Sequence, residues 1–446
     1  MDVDEQAVET AALRPMGRGG RRFWLVAGVL GVIVLAAFAA YLYQLVNGLW
    51  VAGYDDQAFW GIYEANLVTF IGVSYGGALV SAVLRLMHAP WRTPIARMAE
   101  ATALVTLLVG ASFAIIHLGN PGQLWRLILT PQLSSPIVWD FYAVLTYLAA
   151  TLIFLYLPLI PDLALVRDRV AERGGWRRRV YGALALGWQG QPEQRRRLER
   201  AIAVMSILII PLAICVHSVL AWAFSMTSRP GWDSTIFAPY FVVAALYSGV
   251  ALVVLVIAGF RRAYRLQPFL AVHHFVNLAR IMAVLGAVYL YFTFADLLTA
   301  GYVRSEGETV YVVALLEGGF APLFWLWLAA GMLTPIVLGA LISVLPENRR
   351  IPIAVTAAAL VVVGMALKRV LIVAPSAEVP LIGGAWGALQ VTWVPSLITL
   401  GAVAAIPLLL MLLFRFIPIL AVDEMVHGEI APAPAEPALR RAALEV

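Results

Sequence analysis

This chain has six histidines, at 88, 117, 217, 273, 274 and 427, and only His117 and His217 fall inside long apolar runs. A polar side chain in hydrocarbon is costly unless it is paired, so each such residue needs a reason. His117 ends one apolar run, and Asp140 stands four residues into the next. If both runs cross a membrane they are consecutive and antiparallel, which brings the two residues to a similar depth near one face. Trp139 and Tyr142 flank the aspartate, while Trp60, Tyr63 and Glu64 open the preceding run at the same level. An imidazole or a carboxylate can accept a hydroxyl proton, and aromatic walls hold a flat apolar ring. Together these groups could seat a quinol headgroup. The same residues also suit a plainer reading, an aromatic belt at the membrane interface around a hydrated ion pair.

A second set lies in the later runs. His217 precedes Trp222 in its run, Asp296 sits in "YLYFTFADLLTAGY", and Lys368-Arg369 interrupts an apolar stretch about six residues from its end. Mutual pairing would lower the cost of each, so a polar cluster of His217, Asp296, Lys368 and Arg369 is expected where three runs meet. With Tyr75, these residues are candidates for a proton path. Structural pairing, a satisfied core histidine, snorkelling cations and a packed tyrosine are the plain alternatives.

The elements that must position these residues follow from composition. Of 446 residues, 62% are hydrophobic and 13% charged, against about 25% charged in a soluble domain. Apolar runs of spanning length recur, near 23–48, 60–87, 97–118, 136–163, 201–227, 236–260, 278–302, 319–345, 352–374 and 394–421. The expected fold is an all-α integral membrane protein of ten transmembrane helices. Segment 164–200 holds ten arginines, Arg167, Arg169, Arg173, Arg177, Arg178, Arg179, Arg195, Arg196, Arg197 and Arg200. Arg92, Arg97, Arg261, Arg262, Arg265, Arg349 and Arg350 share that side. The opposite loops carry only Arg126, Arg229 and Arg304, beside Asp55, Asp56, Asp233, Glu306 and Glu308. By the positive-inside rule both termini are cytoplasmic, as in a multi-pass protein of the bacterial inner membrane. Residues 1–22 read as a short tail, and "APAPAEPALRRAALEV" as a flexible one. A weak repeat is visible. Spans two and six carry Tyr-x-Gly (Tyr75 to Gly77, Tyr247 to Gly249), and spans three and seven open on Ala96-Arg97 and Ala279-Arg280.

Several chemistries are disfavoured. Cys215 is the one cysteine and Lys368 the one lysine of a chain with net charge +5. A single cysteine rules out an internal disulfide and a four-cysteine iron–sulfur cluster. No run holds two histidines, so bis-histidine haem is not expected, nor is a metal site. The arginines set topology and do not imply nucleic-acid binding. If the chain does redox work, the electrons travel through a partner protein. Ten spans with a repeat also suit a secondary transporter, which would show interrupted helices at matching mid-membrane positions.

The segments "WGIYEANLVTFIGVSYGGALVSAVLRL", "RTPIARMAEA", "FAIIHLGNPGQLWRLIL" and "SSPIVWDFYAVLTYLAATLIFLYLPLIPDLALVRDR" resemble the first bundle of the NrfD/polysulfide-reductase membrane-subunit family. "HSVLAWAFSMTSRPGWDSTIFAPYFVVAALYSGVALV" and "NLARIMAVLGAVYLYFTFADLLTAGY" resemble its second bundle, and the likeness covers roughly 58–345. "SPIVWDFYAV" and "IPDLALVRDR" are most similar to the C subunit of alternative complex III. The resemblance implies two four-helix bundles, spans two to five within 58–227 and spans six to nine within 236–374. Peripheral helices at 23–48 and 394–421 and tails at 1–22 and 422–446 complete the chain. It implies a haem-free subunit that binds and oxidises quinol near the outer face, beside an iron–sulfur subunit and other membrane subunits, a related paralogue among them. By motif position the family's quinone-site histidine and aspartate fall on His117 and Asp140. One departure stands out. Where the subgroup often has a histidine in span two, this chain has Tyr75 within Gly72 to Gly77. That keeps open a sister assembly, a quinone-reducing anchor of a polysulfide-reductase-like molybdopterin enzyme.

Overall fold

A computed structural model describes residues 5–17, 19–55, 58, 60–170, 175–227, 229–303, 305–379, 387 and 389–428. Asp56, Arg173, Arg304 and the Pro/Ala-rich tail 431–446 lie outside the described residues. Ten helices are long and apolar enough to cross a membrane, and among the described residues there is no strand. They are Arg21–Asn47, Ile62–Leu86, Pro90–His117, Pro136–Arg169, Pro192–Ser225, Phe237–Ala263, Val272–Tyr302, Ala321–Leu341, Glu347–Glu378 and Trp393–Leu413, spans one to ten.

Their ends differ from the expected bounds for physical reasons. Spans four and five run on to Arg169 and start at Pro192, because arginines are good helix formers once the helix has left the hydrocarbon. Span ten stops at Leu413, and Phe414–Ala421 turns ahead of and around Pro418, which cannot continue a helix. The tails also fold more than expected. Glu5–Leu13 is helical with Val8, Ala11 and Ala12 buried, and Val422–His427 forms a further helical turn. Ile419 N–H donates to Ala12 O at 3.1 Å, joining the two terminal segments.

Burial sorts the spans. In span two 89% of the apolar stretch is buried, against 17% in span one. Span two packs against spans three, five, six and nine; span four packs against spans three and five; span six packs against seven and nine. Spans one and ten pack on each other, where a Cβ on Gly401 would stand 2.1 Å from Ala37 Cβ. The Tyr-x-Gly segments meet face to face. A Cβ added to Gly76 would lie 2.0 Å from Gly249 carbonyl carbon, so the two helices touch backbone to backbone. The Ala-Arg pairs occupy corresponding places as well. Arg97 reaches Asp162 late in span four (2.9 Å), and Arg280 reaches Ser343, just beyond span eight (2.6 Å). Span eight has a π-helical turn at Trp327–Leu333, while span four, with which the expected repeat would pair it, is an unbroken helix.

At the arginine-rich end, ion pairs tie the terminal segment down. Glu424 accepts from Arg85 (2.5 Å) and Arg92 (2.8 Å), Asp423 from Arg195 (2.7 Å), and the N–H groups of Val422 and Asp423 donate to Asp162. Burial alone would raise the Glu424 carboxyl, but the Arg85 and Arg92 guanidiniums overcome it and hold the group down at about 2.

Candidate functional site

At the arginine-poor end of spans two and three, His117 Nδ1 pairs with Glu64 Oε1. Sequence reasoning gave His117 a different partner, Asp140, and the structure corrects it. Glu64 is the third residue of span two, and its side chain turns back to cap the helix. Glu64 Oε2 accepts from the Gly61 N–H at 2.6 Å, as N-terminal acids do. That pose carries the carboxylate sideways to the last turn of span three, where His117 stands. Spans two and three can approach closely because small residues line their contact. A Cβ on Gly77 would sit 2.1 Å from Ala99 O, and one on Gly110 would sit 2.6 Å from Ile71 N.

Two residues that sequence reasoning missed complete the pair. Tyr54, in the loop after span one, donates its hydroxyl to Glu64 Oε2 at 2.8 Å and accepts from the Tyr63 N–H at 3.1 Å. Its ring stacks on Tyr63 (centroids 5.6 Å apart) and on His117 (5.5 Å). Burial, reinforced by the Glu64 carboxylate, holds the Tyr54 phenol well above its ordinary value, so it stays a donor. Gln44 of span one accepts from the Tyr63 hydroxyl and donates to Ile116 O at 3.0 Å, a carbonyl in the last turn of span three. No periodicity marks a loop tyrosine. Gln44 did carry a signal, as an amide one turn from the end of an apolar run, and it is buried.

The chemistry follows from the donors. A carboxylate only accepts, so a hydrogen bond between the pair requires the hydrogen of His117 on Nδ1. Nε2 is then a lone-pair acceptor, and the imidazole keeps 30% of its surface exposed. A buried anion stabilises the imidazolium that forms when Nε2 takes a proton. This arrangement suits a general base for a hydroxyl at the membrane edge.

The remaining sequence-derived residues divide. Trp60 packs edge-on to Phe224 (4.9 Å) and against Trp232 (5.3 Å), bridging the first residues before span two to the loop after span five. Trp139 Nε1 donates to Leu133 O and Tyr142 OH to Leu127 O, so both brace the loop between spans three and four. Neither is in ring contact with His117. Asp140 falls on the face of span four that carries Tyr147 and Thr151, seven and eleven residues on, and its Oδ1 is buried with no hydrogen-bond partner. Tyr147 stacks on Tyr75 at 4.8 Å, and Tyr75 packs on His217 at 4.4 Å.

The deeper cluster forms in part. A Cβ on Gly72 would meet Arg369 Nη2 at 3.1 Å and His217 Nε2 at 3.5 Å, so these two groups flank one glycine. Arg369 donates to Ser248 Oγ (3.0 Å), Met365 O and Ala244 O, and Lys368 Nζ lies 4.9 Å from the Trp327 ring centroid. Both cations are buried rather than snorkelling. The expected direct pairing with Asp296 is absent among the described residues. Met365 O of span nine and the Ala244 carbonyl and Ser248 hydroxyl of span six satisfy Arg369, and rings of span eight face Lys368, leaving Asp296 a longer-range neighbour of Lys368. Arg229, counted on sequence as a loop charge, instead caps span nine. It donates to the carbonyls of Ser376, Ala377 and Val379 at 2.9–3.3 Å.

Comparison with known proteins agrees with this architecture. The family model for polysulphide reductase, NrfD, matches residues 50–380. A Halobacterium salinarum protein named as a dimethyl sulfoxide reductase membrane subunit is 29% identical over 367 residues, covering 80% of this chain and 78% of that protein. A selenate reductase subunit of Mesobacillus selenatarsenatis is 23% identical over 420 residues, 90% and 95% of the two chains. The Hdr-like menaquinol oxidoreductase integral membrane subunit of Archaeoglobus fulgidus is 25% identical over 314 residues, 69% of each. Ten spans in this arrangement and a family match across most of them make this chain a multi-pass membrane protein belonging to the NrfD polysulphide reductase family.

Proposed function

We propose that this chain is the haem-free, quinol-oxidising membrane subunit of an electron-transfer complex, with both termini cytoplasmic and its quinol site at the opposite face. The observation that carries this reading is the His117–Glu64 pair, whose carboxylate fixes an imidazole with a free acceptor nitrogen at the edge of the bundle. A quinol hydroxyl placed against His117 Nε2 loses its proton there, and Glu64 stabilises the imidazolium. Asp140, with one buried oxygen lacking a hydrogen-bond partner, is the acceptor for the second hydroxyl. Trp60, Tyr63, Trp139 and Tyr142 supply the aromatic surroundings. The two protons leave to water at the arginine-poor face, and the two electrons pass to an iron–sulfur partner on that face.

Relatives named for dimethyl sulfoxide reductase, selenate reductase and a menaquinol oxidoreductase support quinol oxidation. A reductase consumes electrons, so a membrane subunit that serves one draws them from quinol. The assembly is alternative complex III or a molybdopterin reductase with the same electron flow. The transporter alternative is not favoured, because the π-helical turn of span eight has no matching interruption in span four. The test is purification of the tagged chain from its native membrane. Co-purifying iron–sulfur protein and quinol:acceptor activity that disappears in His117→Ala are expected. A lone oligomer, or full activity in that variant, refutes the proposal.

A further inference from the structure

The arginine-rich end has a second feature, remote from the quinol site. Where span one begins at Arg21 and span ten ends at Leu413, a cavity of about 490 Å³ opens between them and the short helix Trp176–Leu184. Gly17, Phe23, Trp24, Arg177, Arg415 and Phe416 line it. The Arg415 guanidinium lies 5.0 Å from the Phe23 ring centroid and 5.7 Å from that of Trp24. Its Nη1 is buried and has no hydrogen-bond partner. Gly19 makes the room, since a Cβ there would stand 2.7 Å from that nitrogen.

Among the described residues the Arg415 guanidinium makes no ion pair and no hydrogen bond, only ring contacts. Arg85, Arg92, Arg97, Arg169 and Arg195 all pair with carboxylates, and Arg14 and Arg261 donate to carbonyls. Arg177, across the cavity, has no ion pair among the described residues; its guanidinium lies over its own neighbour, Trp176. Two cations thus converge on one cavity with no carboxylate among its described lining residues, and a buried donor left without an acceptor costs stability. The missing acceptor is an anion, and phosphate oxygens suit forked guanidinium donors.

The walls indicate which anion. Trp24 and Phe416 are exposed aromatics at the membrane interface, the level of lipid headgroups. Below them Leu25, Val29 and Val32 of span one are exposed and continue an apolar track into the bilayer. A free phosphate would use the arginines and leave this track unused. We propose that the cavity seats the headgroup of an anionic phospholipid from the leaflet on the arginine-rich face. Its phosphate lies between Arg415 and Arg177, and an acyl chain runs along span one.

The full-length chain in detergent tests this by native mass spectrometry. The probes are phosphatidylglycerol, phosphatidylcholine and inorganic phosphate, with melting temperature as a second readout. Phosphatidylglycerol should be retained and should raise the melting temperature, while phosphatidylcholine and inorganic phosphate should do neither. Arg415→Gln should weaken retention about tenfold, the loss of a charge-assisted hydrogen bond. Arg177→Gln, on a surface helix, should weaken it too and decides the matter if Arg415→Gln fails to fold. Arg349→Gln, an exposed arginine of the same face, should change nothing. Equal retention of both lipids, or wild-type retention in the Arg177 and Arg415 variants, overturns the proposal. Inorganic phosphate binding as tightly as the lipid overturns the lipid assignment in favour of a free anion.

Discussion

Replacing Glu64 by glutamine tests the proposed base most directly, because it changes one proton and almost no volume. Glu64 Oε2 accepts from the Gly61 N–H at 2.6 Å and the Tyr54 hydroxyl at 2.8 Å, and only an oxygen fits there. Glutamine must therefore keep its carbonyl on that side and turn its NH₂ toward His117 Nδ1. An NH₂ donates, so Nδ1 must become the acceptor and the ring hydrogen moves to Nε2. The nitrogen that faces the quinol is then blocked, and the charge that favoured the imidazolium is gone. Removing a positioned general base typically costs 10²- to 10⁴-fold, and a histidine held in the wrong tautomer falls at about the upper end. Quinol:acceptor turnover of Glu64→Gln in the assembled complex is thus expected to fall by about 10²- to 10⁴-fold, with quinone still bound. Glu64→Asp keeps the charge but falls short of His117, and an intermediate loss is expected. If Glu64→Gln turns over within about threefold of wild type while His117→Ala is dead, the histidine works without its carboxylate and the tautomer argument fails.

Three further outcomes are expected. Asp140→Asn should lower quinol turnover about 100-fold with the His117–Glu64 pair intact; near-normal turnover would remove Asp140 from the site. Glu424→Gln should release the C-terminal segment. A carboxyl held at about 2 instead of its ordinary 4.5 favours the docked state by roughly 3 kcal/mol. That contribution is complete above the ordinary value and is lost as pH falls from about 5 toward 2. Protection of residues 419–428 from protease should fade over that window in wild type and be weak at every pH in the variant; a matching protection profile in the two would refute it. Gly76→Val should separate spans two and six, because a Cβ there would lie 2.0 Å from Gly249 backbone. A lower melting temperature is the readout, and an unchanged one would mean the helices can part without loss.

Much of the scaffold was legible because each apolar run long enough to span has one economical solution in lipid, a helix. Segment 164–200 was harder. Arginine runs end the hydrocarbon crossing without ending the helix, so spans four and five outlast their apolar stretches at Arg169 and Pro192. The site was legible by residue and not by partner. Depth alone brought His117, Asp140 and Glu64 to one level, but depth does not distinguish helix faces. Glu64 won His117 because its capping pose points it sideways toward span three, while Asp140 follows the face set by Tyr147 and Thr151. Tyr54 and the role of Gln44 were missed for another reason. A loop residue and a peripheral helix enter the site only through the packing of span one on the bundle, which no local pattern encodes.

The distribution of charge across the bundle argues for a division of labour. At the arginine-rich end Arg97–Asp162 and the Glu424 pairs lock the inner helix ends to the terminal segment. Those anions are saturated by guanidiniums or backbone N–H groups. At mid-depth the chain uses glycine, Gly76 on Gly249 and Gly331 on Gly364, which fixes helix spacing with backbone contacts and leaves no room for a ligand between those helices. Toward the arginine-poor end, polar side chains keep accepting capacity at one oxygen of Asp140 and at the exposed edge of His117. A membrane base needs such capacity, and a purely structural ion pair does not. If the protein needed only rigidity there, an arginine on Glu64 would serve as it does on Glu424. A histidine, whose second ring nitrogen can take up and release a proton, is the choice that suits a base.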